Sequence, residues 1–314
     1  MKAVRTHTRA GPEALTYEDM IIPNIANGEA LVKVYAAGIT PTEFTWNSTF
    51  VTSDGKDRLP VVPSFEVSGI VHKVSSDSSG LSQGDAVYGL LDFWRDGAAA
   101  EYVAVRAADL AVKPASLDHI HAAAVPLSGL TAWQALFDHA KLSAGDRVLI
   151  HGAAGGVGTW AVQFAHWKGA HIIGTASTRN HKFLQGLGAD EVLDYTSVRF
   201  EDKSRGADVV LDTVGGDTLE RSWGIVRRGG ALVTIVGDAP AEKADKLGLR
   251  AVSLLVQPNR NQLNQIGQLI EAGTVRPIVQ DVFPLARARE AYVQGLRGHN
   301  RGKLVLQVCA DHDS

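Results

Sequence analysis

Apolar and polar positions along the chain change rhythm twice. In the first part, short apolar-rich runs at 2–4, 29–35, 67–74, 85–88 and 100–105 are separated by Gly, Pro, Ser and Asp turns. This pattern predicts a compact β-rich domain. Lys113-Pro114 reads as the way out of it, and a helix predicted over 131–140 leads into the next part. From Val148 the rhythm becomes strand and helix in alternation. Strands are predicted at 148–150, 171–176, 191–195, 208–214 and 231–236, and helices over 160–167, up to Leu187 and over 219–226. Alternation of this kind implies right-handed crossovers and a parallel sheet. The last part carries helical patterns at 263–272 and 286–296 and a strand pattern at 303–308, and is expected to return to the first domain. The fold class read from this is α/β, a doubly wound parallel sheet plus a β-rich domain. The boundaries fall at 1–122, 123–257 and 258–314.

The strand-to-helix junction at residues 147–158 carries the chemistry. Val148, Leu149 and Ile150 form the apolar run of a parallel strand buried on both faces, and a glycine-rich turn follows at once. Gly155 permits a tight turn, Gly156 lets a pyrophosphate approach the backbone, and Gly158 lets the next helix pack close to the strand. The helix start adds free amides and a positive dipole end. Ala153 stands where the usual G-x-G-x-x-G has its first glycine, and Gly152 precedes it. A Walker pattern is absent from the sequence, so the reading is a dinucleotide and not a triphosphate. Where NAD sites usually present an Asp or Glu, at the end of the second strand, the chain reads Thr175-Ala-Ser-Thr-Arg-Asn-His-Lys182. Ser177 and Thr178 can donate hydrogen bonds and Arg179 and Lys182 bring positive charge, so NADPH is expected over NADH.

Composition narrows the function classes. A chain of 314 residues with 45% hydrophobic content suits about two domains with sizeable cores. A net charge of −3 gives no electrostatic reason for nucleic-acid or membrane binding. No apolar stretch approaches the ~20 residues of a membrane span, and the first residues lack the apolar core of a signal peptide, so a cytoplasmic location is expected. The single cysteine, Cys309, excludes internal disulfides and thiolate clusters. His119 and His121 fall on different faces of a helix, His151 is expected to pack beside the glycine turn, and no G-x-S-x-G elbow occurs.

A set of motifs spanning nearly the whole chain resembles the medium-chain dehydrogenase/reductase superfamily, and within it the zinc-free quinone oxidoreductase-like branch. They are Ala36-Ala-Gly-Ile-Thr-Pro-Thr-Glu43, Pro63-Ser-Phe-Glu-Val-Ser-Gly69, Gly84-Asp-Ala-Val-Tyr-Gly89, Ala98-Ala-Ala-Glu-Tyr102, Leu130-Thr-Ala-Trp-Gln134, the glycine turn, Asp212-Thr-Val-Gly-Gly216 and Gly298-His-Asn-Arg-Gly-Lys-Leu-Val305. The resemblance implies a GroES-like catalytic domain with a Rossmann domain and a homodimer, here through the edge segment 250–257. In zinc-dependent members a Cys stands where Thr40 lies and a His where Phe65 lies; of that neighbourhood only Glu66 is retained. Thr and Phe cannot supply the thiolate and imidazole that zinc prefers. For the cofactor, the resemblance implies Thr131 near the nicotinamide, Gly155, Gly156 and Val157 at the pyrophosphate, and Ser177, Arg179, Lys182 and Tyr195 around the adenosine phosphate. Val214, Val236 and Gly237 would line the nicotinamide ribose, with Lys303 reaching the cofactor from the returning segment.

Without zinc, the expected chemistry is hydride transfer from NADPH to a small-molecule electrophilic acceptor, a quinone or an α,β-unsaturated carbonyl compound. Negative charge then develops on the acceptor's oxygen, so a hydrogen-bond donor lowers the barrier. Thr40 is the first candidate and Tyr88 the second, as proton donor or cleft wall. Related quinone reductases often carry a Tyr shortly after the Thr40 region; this chain has Phe44 and Trp46. Trp46, Phe93 and Trp94, with Phe50, are candidates for an aromatic pocket around a flat acceptor. Glu43 and Glu66 are expected to organise local hydrogen bonds or pair with Arg. Two alternatives stand beside this reading, an enoyl-thioester reductase and an NADPH-binding structural or regulatory protein with negligible turnover. The 54–58 segment reads equally as a lid or an exposed turn.

Overall fold

β-Branched and apolar residues fill the segments that become strands, and their ends bring the chemistry-bearing residues together. The structure, a computed structural model, describes residues 1–76 and 80–309. Its strands are β1 (Lys2–Thr6), β2 (Leu15–Asp19), β3 (Glu29–Ile39), β4 (Glu66–Val74), β5 (Ala86–Leu90), β6 (Tyr102–Arg106) and β7 (Leu110–Val112), then β8 (Arg147–Ile150), β9 (His171–Ala176), β10 (Glu191–Asp194), β11 (Ala207–Asp212), β12 (Val226–Thr234) and β13 (Arg250–Ser253), and last β14 (Val279–Pro284) and β15 (Lys303–Gln307). The chain forms two compact units. One holds Met1–Leu127, Pro258–Ala272 and Pro277–Ser314, the other Ser128–Gln257 and Gly273–Arg276. No helix among the described residues is long and apolar enough to cross a membrane.

The first unit is built on a seven-stranded sheet in the order β14-β15-β3-β4-β5-β7, with β6 also paired to β3, and on the antiparallel pair β1-β2. β3 is central, and its near-continuous apolar run is buried along almost its whole length. Its register fixes the site. Gly38 pairs with Glu66 on β4, and Ile39 pairs with Leu304 on β15. The end of β3, the start of β4 and the start of β15 therefore meet, which brings Thr40, Glu66 and Lys303 to one corner of the sheet. Gly38 must lack a Cβ there, because one would lie 2.8 Å from Glu66 Oε1 and 2.5 Å from the Ala123 carbonyl oxygen.

The second unit is a six-stranded sheet, β10-β9-β8-β11-β12-β13, parallel in every pairing. The strand order reverses between β8 and β11, the position at which open α/β sheets take ligands at their carboxyl edge. Its core includes fully buried Leu149, Ile173, Val210 and Leu232 from four adjacent strands. Each such side chain contributes about 2 kcal/mol by leaving water.

Several boundaries differ from the sequence reading. The helix expected over 131–140 starts earlier, at Pro126–Trp133, and continues as a π-helix over Gln134–His139. There the Gln134 side chain holds the Gln257 backbone from both sides, at 2.8 and 3.0 Å. The helix expected over 219–226 is Gly216–Ser222, and the strand expected at 231–236 starts earlier, at Val226, as β12. β2 and β14 went unpredicted. Charged residues interrupt both, and pairing with β1 and β15 supplies the order their own patterns lack.

Candidate functional site

In the second unit the glycine turn is shaped by contacts that exclude side chains. A Cβ on Gly158 would lie 2.3 Å from the Gly152 carbonyl oxygen and 2.7 Å from Ala153 Cα, both backbone atoms, so only glycine lets the Gly156–Lys168 helix start this close to β8. Gly155 caps that helix without a side chain, leaving its first-turn amides to an anionic ligand. His151 braces the turn from beneath. Its Nδ1 lies 3.2 Å from Thr175 Oγ1 and its Nε2 3.0 Å from Ser222 Oγ, which itself donates to the Thr218 carbonyl. Ser222 must therefore accept, which assigns the imidazole as the neutral Nε2–H tautomer. Burial pushes its pKa down to about 4. Buried Asp212 accepts from the Val214 and Gly215 amides and from Thr234 Oγ1, folding the turn after β11. Beyond the carboxyl ends of β10, β11 and β12, Tyr195, Val214 and Val236 are 51%, 54% and 53% exposed, an apolar edge open to a ligand.

The adenosine end differs from the sequence reading. That reading found no carboxylate among residues 175–182, yet β10 runs beside β9 and delivers Asp194 to the same turn. Asp194 accepts from the backbone amide and hydroxyl of Thr178 and from those of Thr196. These bonds, the Thr178 hydroxyl first, hold its carboxyl well below the usual range. Thr178's donors are thus committed, and Ser177, Arg179, Lys182 and Tyr195 are left as the phosphate candidates. Ser177 is half-buried and the other three are exposed. Gly156 and Val157 open the helix, Gly237 packs against Leu219, and Thr131 is buried in the Pro126–Trp133 helix.

In the first unit the sheet corner gathers six polar side chains. Lys303, buried, forms an ion pair with Glu66, and its Nζ donates to Thr40 Oγ1 at 3.0 Å. Glu66 Oε2 accepts from the Leu127 amide at 3.0 Å. Beside them Glu43, fully buried, accepts from the Tyr292 hydroxyl and from the Ser64 amide at 3.1 Å. Burial pushes the Glu43 carboxyl up to about 8, against the opposing pull of those two donors and of Lys303. Ser64 is held at φ 73°, uncommon for a residue with a side chain, and its hydroxyl donates to the Gly38 carbonyl at 2.6 Å. The sequence missed Tyr292 and Ser64. Tyr292 lies 249 residues from Glu43, and nothing in a local pattern announces such a partner.

The two expected donors separate. Thr40 is half-buried with its hydroxyl at the cluster. Tyr88 is fully buried, its hydroxyl donates to the Leu263 carbonyl at 2.6 Å, and burial holds its phenol well above the usual range. This corrects the expectation of Tyr88 as a proton donor, because its proton is already committed inside the core. Trp46 and Phe93 meet edge to face at 5.4 Å and both pack on Phe65, so the aromatic cluster is self-filled, whereas Trp94 is exposed and outside it. Glu43 and Glu66 organise local hydrogen bonds, one of the two roles expected of them, with Tyr292 and Lys303 among their partners.

The donor set at this corner does not suit zinc. Phe65 is held in the aromatic cluster, Thr40 offers a neutral hydroxyl, and Glu66 is paired with Lys303. Among the described residues no three His, Cys, Asp or Glu side chains gather as a metal site.

Comparison with known proteins finds the same family over most of the chain. Residues 26–115 match the family model described as alcohol dehydrogenase GroES-like domain, and residues 187–306 that described as zinc-binding dehydrogenase. The chain is 35% identical over 303 residues to a probable zinc-binding oxidoreductase, mitochondrial, of Arthroderma benhamiae, covering 91% of this chain and 90% of that one. It is 33% identical to the NADPH-dependent alkenal/one oxidoreductase, chloroplastic, of Arabidopsis thaliana, covering 98% and 79%. The structure of the quinone oxidoreductase from Coxiella burnetii superposes with a TM-score of 0.89 at 35% identity, covering 98% and 99%. The chain belongs to the medium-chain dehydrogenase/reductase superfamily of oxidoreductases, in its quinone oxidoreductase-like branch.

Proposed function

We propose that this protein is a zinc-independent, NADPH-dependent reductase of quinones or α,β-unsaturated carbonyl compounds. The observation that carries the reading is the Thr40 hydroxyl, half-buried and bonded to Lys303 where zinc-dependent relatives present a cysteine. The Arabidopsis and Coxiella relatives, named for alkenal/one and quinone substrates, support the acceptor class. The uncapped helix start after Gly155 and the Cβ-excluding contacts at Gly158 fit a pyrophosphate. Ser177, Arg179, Lys182 and Tyr195 would hold the adenosine phosphate, and Thr131, Val214, Val236 and Gly237 the nicotinamide end. When bound, the cofactor supplies a hydride. On the acceptor, the new C–H bond forms as the displaced electron pair moves to the carbonyl oxygen, and a proton from solvent completes the reduction. Thr40 donates a hydrogen bond to that oxygen as its charge grows. Quinones and enones need no metal activation, since their acceptor carbons are already electrophilic.

The test is consumption of NADPH by the chelator-treated protein against a panel of quinones, enones and enoyl thioesters, with NADH in parallel. The expected result is saturable turnover with quinones or enones, at higher kcat/KM with NADPH. Turnover confined to enoyl thioesters would reassign the substrate, and tight NADPH binding without turnover would make the protein a cofactor-binding module. We further propose a homodimer paired along β13, an edge of its sheet, which light scattering would measure.

A further inference from the structure

We infer that Lys303, held by Glu66, is a positioning residue that turns Thr40 into an obligate hydrogen-bond donor toward the acceptor's carbonyl oxygen. A fixed ammonium thus works at the place where zinc-dependent relatives carry a metal ligand. The inference rests on the reductase reading above and adds the device that polarises its donor.

The chemistry of each group fixes the sense of the contact. A lysine ammonium has three N–H donors and no acceptor, so in the 3.0 Å contact Thr40 Oγ1 has to accept. The hydroxyl proton of Thr40 is then unavailable to Lys303 and is directed to another acceptor. A hydroxyl that accepts from a cation is also a stronger donor through its own proton. An ordinary surface threonine rotates its hydroxyl freely between the two roles; here a charge fixes the sense.

The rest of the corner keeps that charge in place. Lys303 is only 6% exposed, and a buried lysine needs a carboxylate partner, which Glu66 provides. Glu66 is pinned in turn by the Leu127 amide, in the space left by the missing side chain of Gly38. The register of β15 against β3, with Leu304 opposite Ile39, carries Lys303 to Thr40. Glu43 and Tyr292 are the other titratable groups facing this corner, and the proton that burial keeps on Glu43 leaves Lys303 opposed by one carboxylate. An acceptor oxygen gaining negative charge therefore meets a donor backed by a cation.

Removing Lys303 alone would strand the Glu66 charge in the core, so the variant to use is Lys303→Met with Glu66→Gln, which deletes the pair together. Combined with Thr40→Val it forms a cycle with the wild type and the two partial variants. On enones or quinones, Thr40→Val is expected to lower kcat about 10²-fold, as loss of one oxyanion donor does, and the pair deletion, which keeps the hydroxyl but frees its rotation, by a clearly measurable but smaller factor. The full combination should fall no further than Thr40→Val alone, because Lys303 acts only through that hydroxyl. Lys303, expected from the sequence to reach the cofactor, is engaged instead with Glu66 and Thr40, so the Kd of NADPH, read by its fluorescence, is expected to stay within about threefold. Multiplying losses, or wild-type kcat after pair deletion, would overturn the inference. A second measurement needs no turnover: ¹H–¹⁵N spectra of lysine ammonium groups in wild type and Thr40→Val. A protected Lys303 signal that moves in the variant supports the bond, and an unchanged one refutes it. A wild type inactive toward every acceptor would defeat the reductase reading, while these spectra would still decide whether Lys303 sets the Thr40 hydroxyl.

Discussion

Tyr88 and Thr40 divide two jobs that a hydroxyl can do in a protein. Tyr88 is a strut. Its side chain spans from β5 to the Arg260–Glu271 helix, and its one proton satisfies a buried carbonyl. Replacing it with Phe deletes that bond, at a cost of about 1 kcal/mol. Denaturant unfolding of Tyr88→Phe should register this loss, while kcat and its pH profile stay at wild-type values. A large fall in kcat at unchanged KM would restore Tyr88 as a proton donor. The contrast with Thr40 explains how far single residues were readable. Thr40 was singled out because a motif positions it, so its neighbourhood came with it. The state of Tyr88 depends on a carbonyl 175 residues away, which no local pattern encodes. Asp194 taught the same lesson from the other side: a carboxylate missing from one strand end arrived from the next strand.

At the scale of elements, the close packing at Gly158 was legible because its role is local, whereas the left-handed turn falls at Gly152 (φ 63°) and not at Gly155 (φ −75°), where the sequence reading put it. Turn, close approach and helix start all fall within a dozen residues, and backbone geometry leaves few ways to build them. The prediction that belongs here compares two glycines. In Gly158→Ala the new methyl meets backbone oxygen and carbon that cannot swing aside, so the Gly156–Lys168 helix must move off β8. Destabilisation of about 2 kcal/mol or more is expected, together with a loss of NADPH affinity exceeding about tenfold, because the helix-start amides move with it. Gly224 has open space around its Cβ position and an ordinary φ, so Gly224→Ala should stay within about 0.5 kcal/mol and bind NADPH normally. Equal effects in calorimetry and cofactor titration would dismiss the close-packing account. The π-helical turn at Gln134–His139 was illegible for the opposite reason. Its pattern is that of an α-helix, and the long-range bonds from Gln134 to the Gln257 backbone accompany the departure.

Over the whole molecule, the two units carry buried titratable groups with opposite effects on stability. In the first unit Glu43 has its pKa raised to about 8 from an ordinary 4.5. Its folded form binds the proton more tightly than the unfolded chain does, so its contribution is complete below about pH 4.5 and is lost as pH rises through about 8. In the second unit His151 has its pKa lowered to about 4 from an ordinary 6.5. Its contribution is complete above about pH 6.5 and is lost as pH falls toward 4, a swing of about 3 kcal/mol. Both groups are buried, so salt should screen neither strongly. The two slopes cancel between about pH 4.5 and 6.5, so stability of the chain is expected to be greatest across that weakly acid range and to fall away above it through Glu43 and below it through His151. Glu43→Gln keeps an uncharged amide oxygen to accept from the Ser64 amide, with its NH2 turned to the Tyr292 hydroxyl oxygen, and should flatten the alkaline limb alone. His151→Gln should flatten the acid limb alone, since no imidazolium has to form inside the core. Thermal unfolding of the wild type and both variants from pH 4 to 9 measures the two limbs. If either substitution altered both, or left its own limb intact, the assignment of that limb to a buried proton would be wrong.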